Sequence, residues 1–165
     1  MKFVNTLAML AAAVAVGLYE TAPAGADDTA AGGTMEISPD GDRPAGPGPA
    51  ETFTGEVSVK PLFDPNGVRT FGSAEVSFTP CARTAWHSHP AGQTLVVTAG
   101  SGWIQQWGGV KQSINPGDVI WTPPNVKHWH GATEGTAMTH IAIQGTLDGK
   151  AVEWMEHVSD AEYRV

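Results

Sequence analysis

The stretch that decides the fold is Gln93-Thr94-Leu95-Val96-Val97-Thr98-Ala99-Gly100-Ser101-Gly102-Trp103-Ile104-Gln105-Gln106-Trp107-Gly108-Gly109. Gln93 to Thr98 is rich in β-forming residues, and Gly100-Ser101-Gly102 ends it. Trp103 to Trp107 follows, closed by Gly108-Gly109, a pair that reads as a two-residue hairpin turn. The same rhythm extends both ways. Upstream, Phe53 to Val59 and Gly72 to Thr79 alternate apolar and polar residues. Downstream, Val110 to Ile114 runs into Asn115-Pro116-Gly117, and Asp118 to Thr122 ends at Pro123-Pro124-Asn125. His128 to Ala132 and Thr136 to Gln144 complete the series. Turns about eight to twelve residues apart indicate an all-β fold, an antiparallel sandwich or barrel. Ser159 is placed to cap a short final helix through Asp160, Ala161 and Glu162.

A chain of 165 residues suffices for one domain with a proper core. Nine Lys and Arg stand against 17 Asp and Glu, a formal charge of −8, and no basic stripe exists. A polyanion such as nucleic acid is therefore excluded as a natural partner. Cys81 is the single cysteine, so an internal disulfide and a Cys-rich metal site are excluded; it reads as a small buried residue at a turn.

Residues 1–26 read as an export signal peptide: Lys2, an apolar run from Leu7 to Leu18, and the small-x-small pattern Ala24-Gly25-Ala26. The apolar run is too short to span a bilayer as a stable helix, so no membrane partner is expected once the leader is removed. The mature protein is expected in the periplasm or secreted; translation from Met35 would instead make it cytoplasmic. Residues 27–51 carry Ala, Gly, Pro and Asp with few large apolar side chains and read as a flexible tether. The folded domain is expected over residues 52–165.

Within that domain the histidines are not scattered. His87-Ser88-His89 carries two imidazoles at strand spacing, so both rings project to one face. Gln93 lies four residues on, across the Pro90-Ala91-Gly92 break. His128-Trp129-His130 is a second pair, which the intervening hairpins can bring opposite the first. Two such pairs in a chain of six histidines point to a shared divalent metal ion, because a buried imidazole cluster needs a ligand to offset its desolvation. Trp86 and Trp129 alternate with those histidines and should pack on the opposite side. Trp103, Trp107, Trp121 and Trp154 read as core or interface residues, and His157 as a surface residue.

These segments resemble a known family. His87-x-His89 with Gln93 and Gly100, and Gly117 with Pro123 and His128, are similar to the two motifs of a single-domain cupin, a double-stranded β-helix or jelly-roll barrel. Arg83 to Pro90, Lys127 to Gly131, Met138 to Gln144 and Leu147 to His157 resemble the bacterial cupin hydroxynitrile lyases, the (R)-mandelonitrile lyase-like group. The resemblance implies that His87, His89, Gln93 and His128 hold one divalent metal, manganese first and iron next. Zinc, nickel, cobalt and copper are admitted by the nitrogen-rich donor set. Gln93 stands where most cupins have Glu, and Cys81 and Asn125 stand where the motifs usually have Gly. Asn is the best substitute for Gly where the backbone is left-handed.

Three imidazoles and an amide are neutral, so the ion keeps its formal charge of two and acts as a stronger Lewis acid than a Glu-ligated one. His130 faces the same cavity as His128. His140 and Gln144, four apart on a later strand, can line the same face. The implied reaction on a small-molecule substrate is reversible cleavage of a cyanohydrin to an aldehyde and hydrogen cyanide, with His130, His140 and Gln144 as catalytic residues. Two alternatives stand beside it: a metal-dependent cupin oxygenase, and an exported carrier of metal or small ligand with no turnover. Small cupins also pair their sheets, so a homo-oligomer, dimer or tetramer, is expected.

Overall fold

A computed structural model describes residues 33–165; the leader read over residues 1–26 lies outside them. The unit spanning Ile37–Val165 opens with a short 3-10 turn at Asp40–Asp42 and then thirteen strands. In chain order these are β1 (Gly46–Pro47), β2 (Phe53–Thr54), β3 (Val57–Phe63), β4 (Phe71–Phe78), β5 (Arg83–Thr84), β6 (His87–Ser88) and β7 (Gln93–Gly100). They continue as β8 (Gly102–Gln106), β9 (Gln112–Ile114), β10 (Val119–Thr122), β11 (His128–Ala132), β12 (Met138–Gly145) and β13 (Glu153–Trp154). One helix, α1 (Asp160–Arg164), closes the chain. It carries the capping box that Ser159 predicts: Ser159 Oγ accepts from the Glu162 amide, and Glu162 reaches back to the Ser159 amide.

Two antiparallel sheets result. One runs β1-β3-β4-β12-β7-β10, and the other β13-β6-β11-β5-β2, with β8 on β11 and β9 on β8. Alternation along each strand sends one set of side chains inward. On β7 these are Gln93, Leu95 and Val97; on β12 they are Met138, His140 and Ala142, all buried. Phe78, Leu95, Val97, Ile104, Ile114 and Met138 form a continuous apolar core between the sheets. A smaller cluster lies outside the second sheet, where Trp86 and Trp129 pack under Val158 and Tyr163. The two tryptophans therefore turn away from their histidine neighbours, as alternation predicts, and the C-terminal segment of the same chain covers them. Arg83 fastens that segment, donating to the Val158 carbonyl at 2.9 and 3.1 Å and to Asp160 at 2.7 Å.

Several expectations are corrected. Phe53 to Val59 is not one strand: Gly55, at φ +83, turns the chain so that β2 joins one sheet and β3 the other. A Cβ at Gly55 would lie 2.9 Å from Ala82 Cα, so the approach needs glycine. The stretch read as a tether contributes β1, where Gly46 and Pro47 pair with Val59 and Ser58. The β8–β9 connection turns on Trp107-Gly108 rather than Gly108-Gly109: Gly109 N donates to Gln106 O, and of the two glycines only Gly108 has positive φ. Cys81 does sit at a turn, but it is exposed. Cys81 and Asn125 both adopt left-handed backbone, φ 68 and 62, as their motif positions require.

Candidate metal centre

The register of β6 on β11 sets His87 directly opposite His128. Their ring centroids lie 4.2 Å apart, and His130, two residues along β11, is 5.2 Å from His87. One nitrogen from each of His87, His128 and His130 falls within 4.8 Å of the others, and all three residues are buried. The His89–Gly92 turn, closed by Gly92 N to His89 O and by the left-handed Gly92, folds β7 back beside this pair. Gln93 Oε1 then stands 3.1 Å from His128 Nε2. His89 is 5.1 Å from His87 and 5.6 Å from His128, centroid to centroid. Of the predicted ligands, His87 and His128 share the close set with His130, Gln93 reaches His128, and His89 lies beside them outside that set.

The hydrogen bonds separate the four histidines into two kinds. His87 Nδ1 donates to Ala85 O at 3.0 Å, His89 Nδ1 to Ala151 O at 2.7 Å, and His128 Nδ1 to Val126 O at 3.0 Å. Each backbone carbonyl fixes the tautomer that leaves the Nε2 lone pair free, the arrangement ligating histidines adopt. His89 Nε2 is buried without any partner. His130 is different. Its Nδ1 lies 3.1 Å from His140 Nε2, an imidazole instead of a carbonyl, and its own Nε2 is buried and unpartnered.

Burial governs the charge state. Desolvation, with the neighbouring His128 and His89, pushes His87 well below the ordinary imidazole value. Desolvation followed by the His140 and His87 rings does the same to His130. Burial carries His128 down to about 4 and His140 to about 4, and it also lowers His89. All five are neutral at neutral pH. His130 in particular is a ring held firmly in its neutral form. Pre-oriented, uncharged nitrogens, with His89 Nε2 buried and unpartnered, fit a divalent cation, and His87, His89, Gln93 and His128 are the residues that would hold it.

The cluster opens into a cavity of about 420 Å³. His87, His89, Gln93, His130, His140 and Gln144 line its polar floor, and Gln144 Oε1 and His140 Nδ1 are further buried atoms without partners. Val59, Ala74, Val76 and Ala142 form the apolar sides. Trp154 and Phe53 stand at the mouth, so the reading of Trp154 as a core or interface residue is corrected to a cavity residue. A larger, shallower groove of about 670 Å³ beside β1 contains no histidine and does not touch this cluster. His157 is exposed and bonds only Thr54, outside the site.

An all-β barrel of two antiparallel sheets with this inward imidazole cluster is the architecture of a cupin, and residues 74–143 match the cupin domain family. The chain belongs to that family. Within it the chain is 58% identical over 130 residues to an (R)-mandelonitrile lyase from Granulicella tundricola, covering 79% of this chain and 99% of that one. Among solved structures, a cupin-like protein from Thermotoga maritima is 44% identical, with a TM-score of 0.69 over 72% of this chain and 90% of that one. A polyketide cyclase from Streptomyces resistomycificus shares the fold at 21% identity, with a TM-score of 0.58 over 79% of this chain and 92% of that one.

Proposed function

We propose that this cupin is a metal-dependent carbon–carbon lyase, cleaving a cyanohydrin reversibly to an aldehyde and hydrogen cyanide. The observation that carries the reading is the His130–His140 pair, set 3.1 Å apart beside the ligand cluster with its outer nitrogens unpartnered. Similarity to the Granulicella lyase supports it independently. A divalent ion, manganese in the first instance, would supply Lewis acidity toward the carbinol oxygen while keeping its full charge on neutral donors.

With His130 Nδ1–H donated to His140 Nε2, the His130 Nε2 lone pair faces the cavity and accepts the substrate's hydroxyl proton. The electrons of that O–H bond become the second bond of the aldehyde carbonyl. The bond from carbinol carbon to nitrile carbon breaks, and its pair leaves with cyanide. His130 then returns the proton to cyanide, giving hydrogen cyanide. A ring that burial makes a poor base is, once protonated, a strong acid, so the return step is fast. His140 Nδ1–H and the Gln144 amide line the floor of the same cavity, placed to hydrogen-bond the developing negative charge. Each such element lowers the barrier by on the order of 2 to 5 kcal/mol.

The test is mandelonitrile cleavage under anaerobic conditions, with elemental analysis of the same sample. Undiminished turnover without dioxygen is expected, which no oxygenase gives. His130→Ala should keep its metal and lose about 10²- to 10⁴-fold in kcat. Full activity with full metal content in that variant overturns the role of His130; ligand uptake with no turnover in the parent protein overturns the lyase. On the reading of residues 1–26 as an export signal, the reaction would take place outside the cytoplasm, and the mass of the mature protein checks cleavage after Ala26.

A further inference from the structure

Strands β2 and β13 are the opposite edges of one sheet, each only two residues long. Their side chains nevertheless meet. The Phe53 and Trp154 rings lie 5.8 Å apart, tilted by 59°, and this contact closes the sheet's two edges over the cavity mouth. Trp154 is paired to His87 in the β13–β6 register, and its indole lies 4.7 Å from the His87 ring. Phe53 continues inward to Phe78 at 6.1 Å, and Phe78 reaches His130 and His140 at 5.9 and 5.5 Å. Phe53 and Trp154 are thus the aromatic part of the cavity lining, and Phe78 backs them from the core and connects them to the histidine pair. Trp154 is 39% exposed although it stands at an apolar mouth, so a large aromatic surface is left available to whatever enters.

We propose that Phe53 and Trp154 form an aromatic clasp that determines substrate specificity, favouring cyanohydrins whose side chain is a flat aromatic ring over saturated ones of similar size. The inference rests on the lyase reading and deepens it. A flat ring can pack by its face or edge against both residues, gaining quadrupole complementarity that a saturated ring lacks. The remaining sides, Val59, Ala74, Val76 and Ala142, are aliphatic and do not distinguish the two. Trp154 is a specificity residue in this account; it exchanges no proton.

The experiment compares mandelonitrile with the cyanohydrin of cyclohexanecarbaldehyde in the parent protein, Trp154→Ala, Trp154→Phe and Phe53→Leu, each with metal content measured. The parent protein should prefer the aromatic substrate. Trp154→Ala should lower kcat/KM for it by about 10- to 100-fold, corresponding to the loss of one aromatic contact and its buried area, and lower the saturated substrate by a factor about 2- to 10-fold smaller, since that substrate loses area but no ring–ring contact. Trp154→Phe should restore most of the preference. A parallel fall on both substrates at unchanged metal content overturns the clasp. A second readout keeps it testable without turnover: binding of benzyl alcohol and cyclohexylmethanol to the same four proteins by calorimetry. If the parent protein cleaves neither cyanohydrin yet binds benzyl alcohol more tightly in a Trp154-dependent way, the lyase reading falls and the clasp stands. Equal binding of the two alcohols by the parent protein overturns the clasp.

Discussion

The inward side chains of β12 run Met138, His140, Ala142 and Gln144, so a single strand passes from the hydrocarbon end of the barrel to its imidazole end. Strand β7 makes the same passage in reverse, from Gln93 at the site to Leu95 and Val97 in the core. The two ends share backbone, register and burial, yet they differ in how their interior is satisfied. Met138, Phe78 and Ile114 are filled by one another. The other end leaves His89 Nε2, His130 Nε2, His140 Nδ1 and Gln144 Oε1 buried without partners, each at a cost of about 1–3 kcal/mol. One end is apolar and packed on itself, whereas the other presents buried polar atoms that no other side chain satisfies.

The sharpest way to break this comparison is one substitution at each end. His128→Ala should abolish metal uptake and lower cyanohydrin cleavage by at least about 10³-fold, since it removes an imidazole from the centre of the close histidine set. The metal-free stability of that variant should fall by only about 1–2 kcal/mol, the cost of orphaning the Val126 carbonyl. Met138→Ala should do the opposite, losing about 2–5 kcal/mol of stability while the folded fraction keeps its activity. Urea denaturation of chelator-treated protein, run beside the activity assay, measures both. Equal losses of stability at the two ends would show that the barrel interior is not divided in this way.

Much of the division is legible in the sequence. The period of two makes His87 and His89 share a face with each other, and likewise His128 and His130, and it turns Trp86 and Trp129 outward. Strand limits read from turn residues fall within two residues of both ends of β4 and of β7 to β12. What pattern alone does not carry is pairing between distant short elements. Residues 46 and 47 look like linker because their composition is Gly and Pro, but β1 is held by backbone pairing at the sheet edge, which has no compositional signal. Trp154 reads as ordinary core because β13 is two residues long; only its register against His87 brings the indole to the cavity. The low pKa of His130 likewise comes first from its burial and then from the rings around it, and the HxH motif does not name His140 among them.

A smaller effect sharpens the contrast through pH. His140 is neutral down to about 4 in the folded chain but titrates at the ordinary 6.5 when unfolded. The unfolded state therefore binds the extra proton between those values, and folding stability is complete above about pH 6.5 and declines as pH falls toward 4. The slope is roughly 1.4 kcal/mol per pH unit for each such histidine, and His128 adds to it. Metal-free protein should be measurably weaker at pH 5 than at pH 7, and His140→Leu should flatten that dependence by one group. A Met138→Ala background should shift the whole curve downward without altering its slope. A slope unchanged by His140→Leu would mean that this imidazole is not held neutral by the fold.

The finest distinction lies in the two left-handed turns. Cys81, φ 68, closes the core end, with its amide on Thr133 O at 2.9 Å. Asn125, φ 62, closes the site end, with its amide on His89 O at 2.9 Å. Left-handed backbone costs an ordinary side chain about 1–2 kcal/mol, whereas Asn tolerates it through local hydrogen bonding. Glycine removes that cost but adds about 0.5–1 kcal/mol of ordering entropy. Cys81→Gly should therefore gain about 0.5 kcal/mol, a rise of one or two degrees in Tm for a domain of this size, with kcat unchanged. Asn125→Gly should leave Tm flat. Because the Asn125 amide restrains the His89 backbone, the added freedom should instead weaken metal binding by a small factor, read by chelator competition. A loss of Tm in Cys81→Gly would show that the Cys81 side chain contributes more at that turn than its backbone conformation costs.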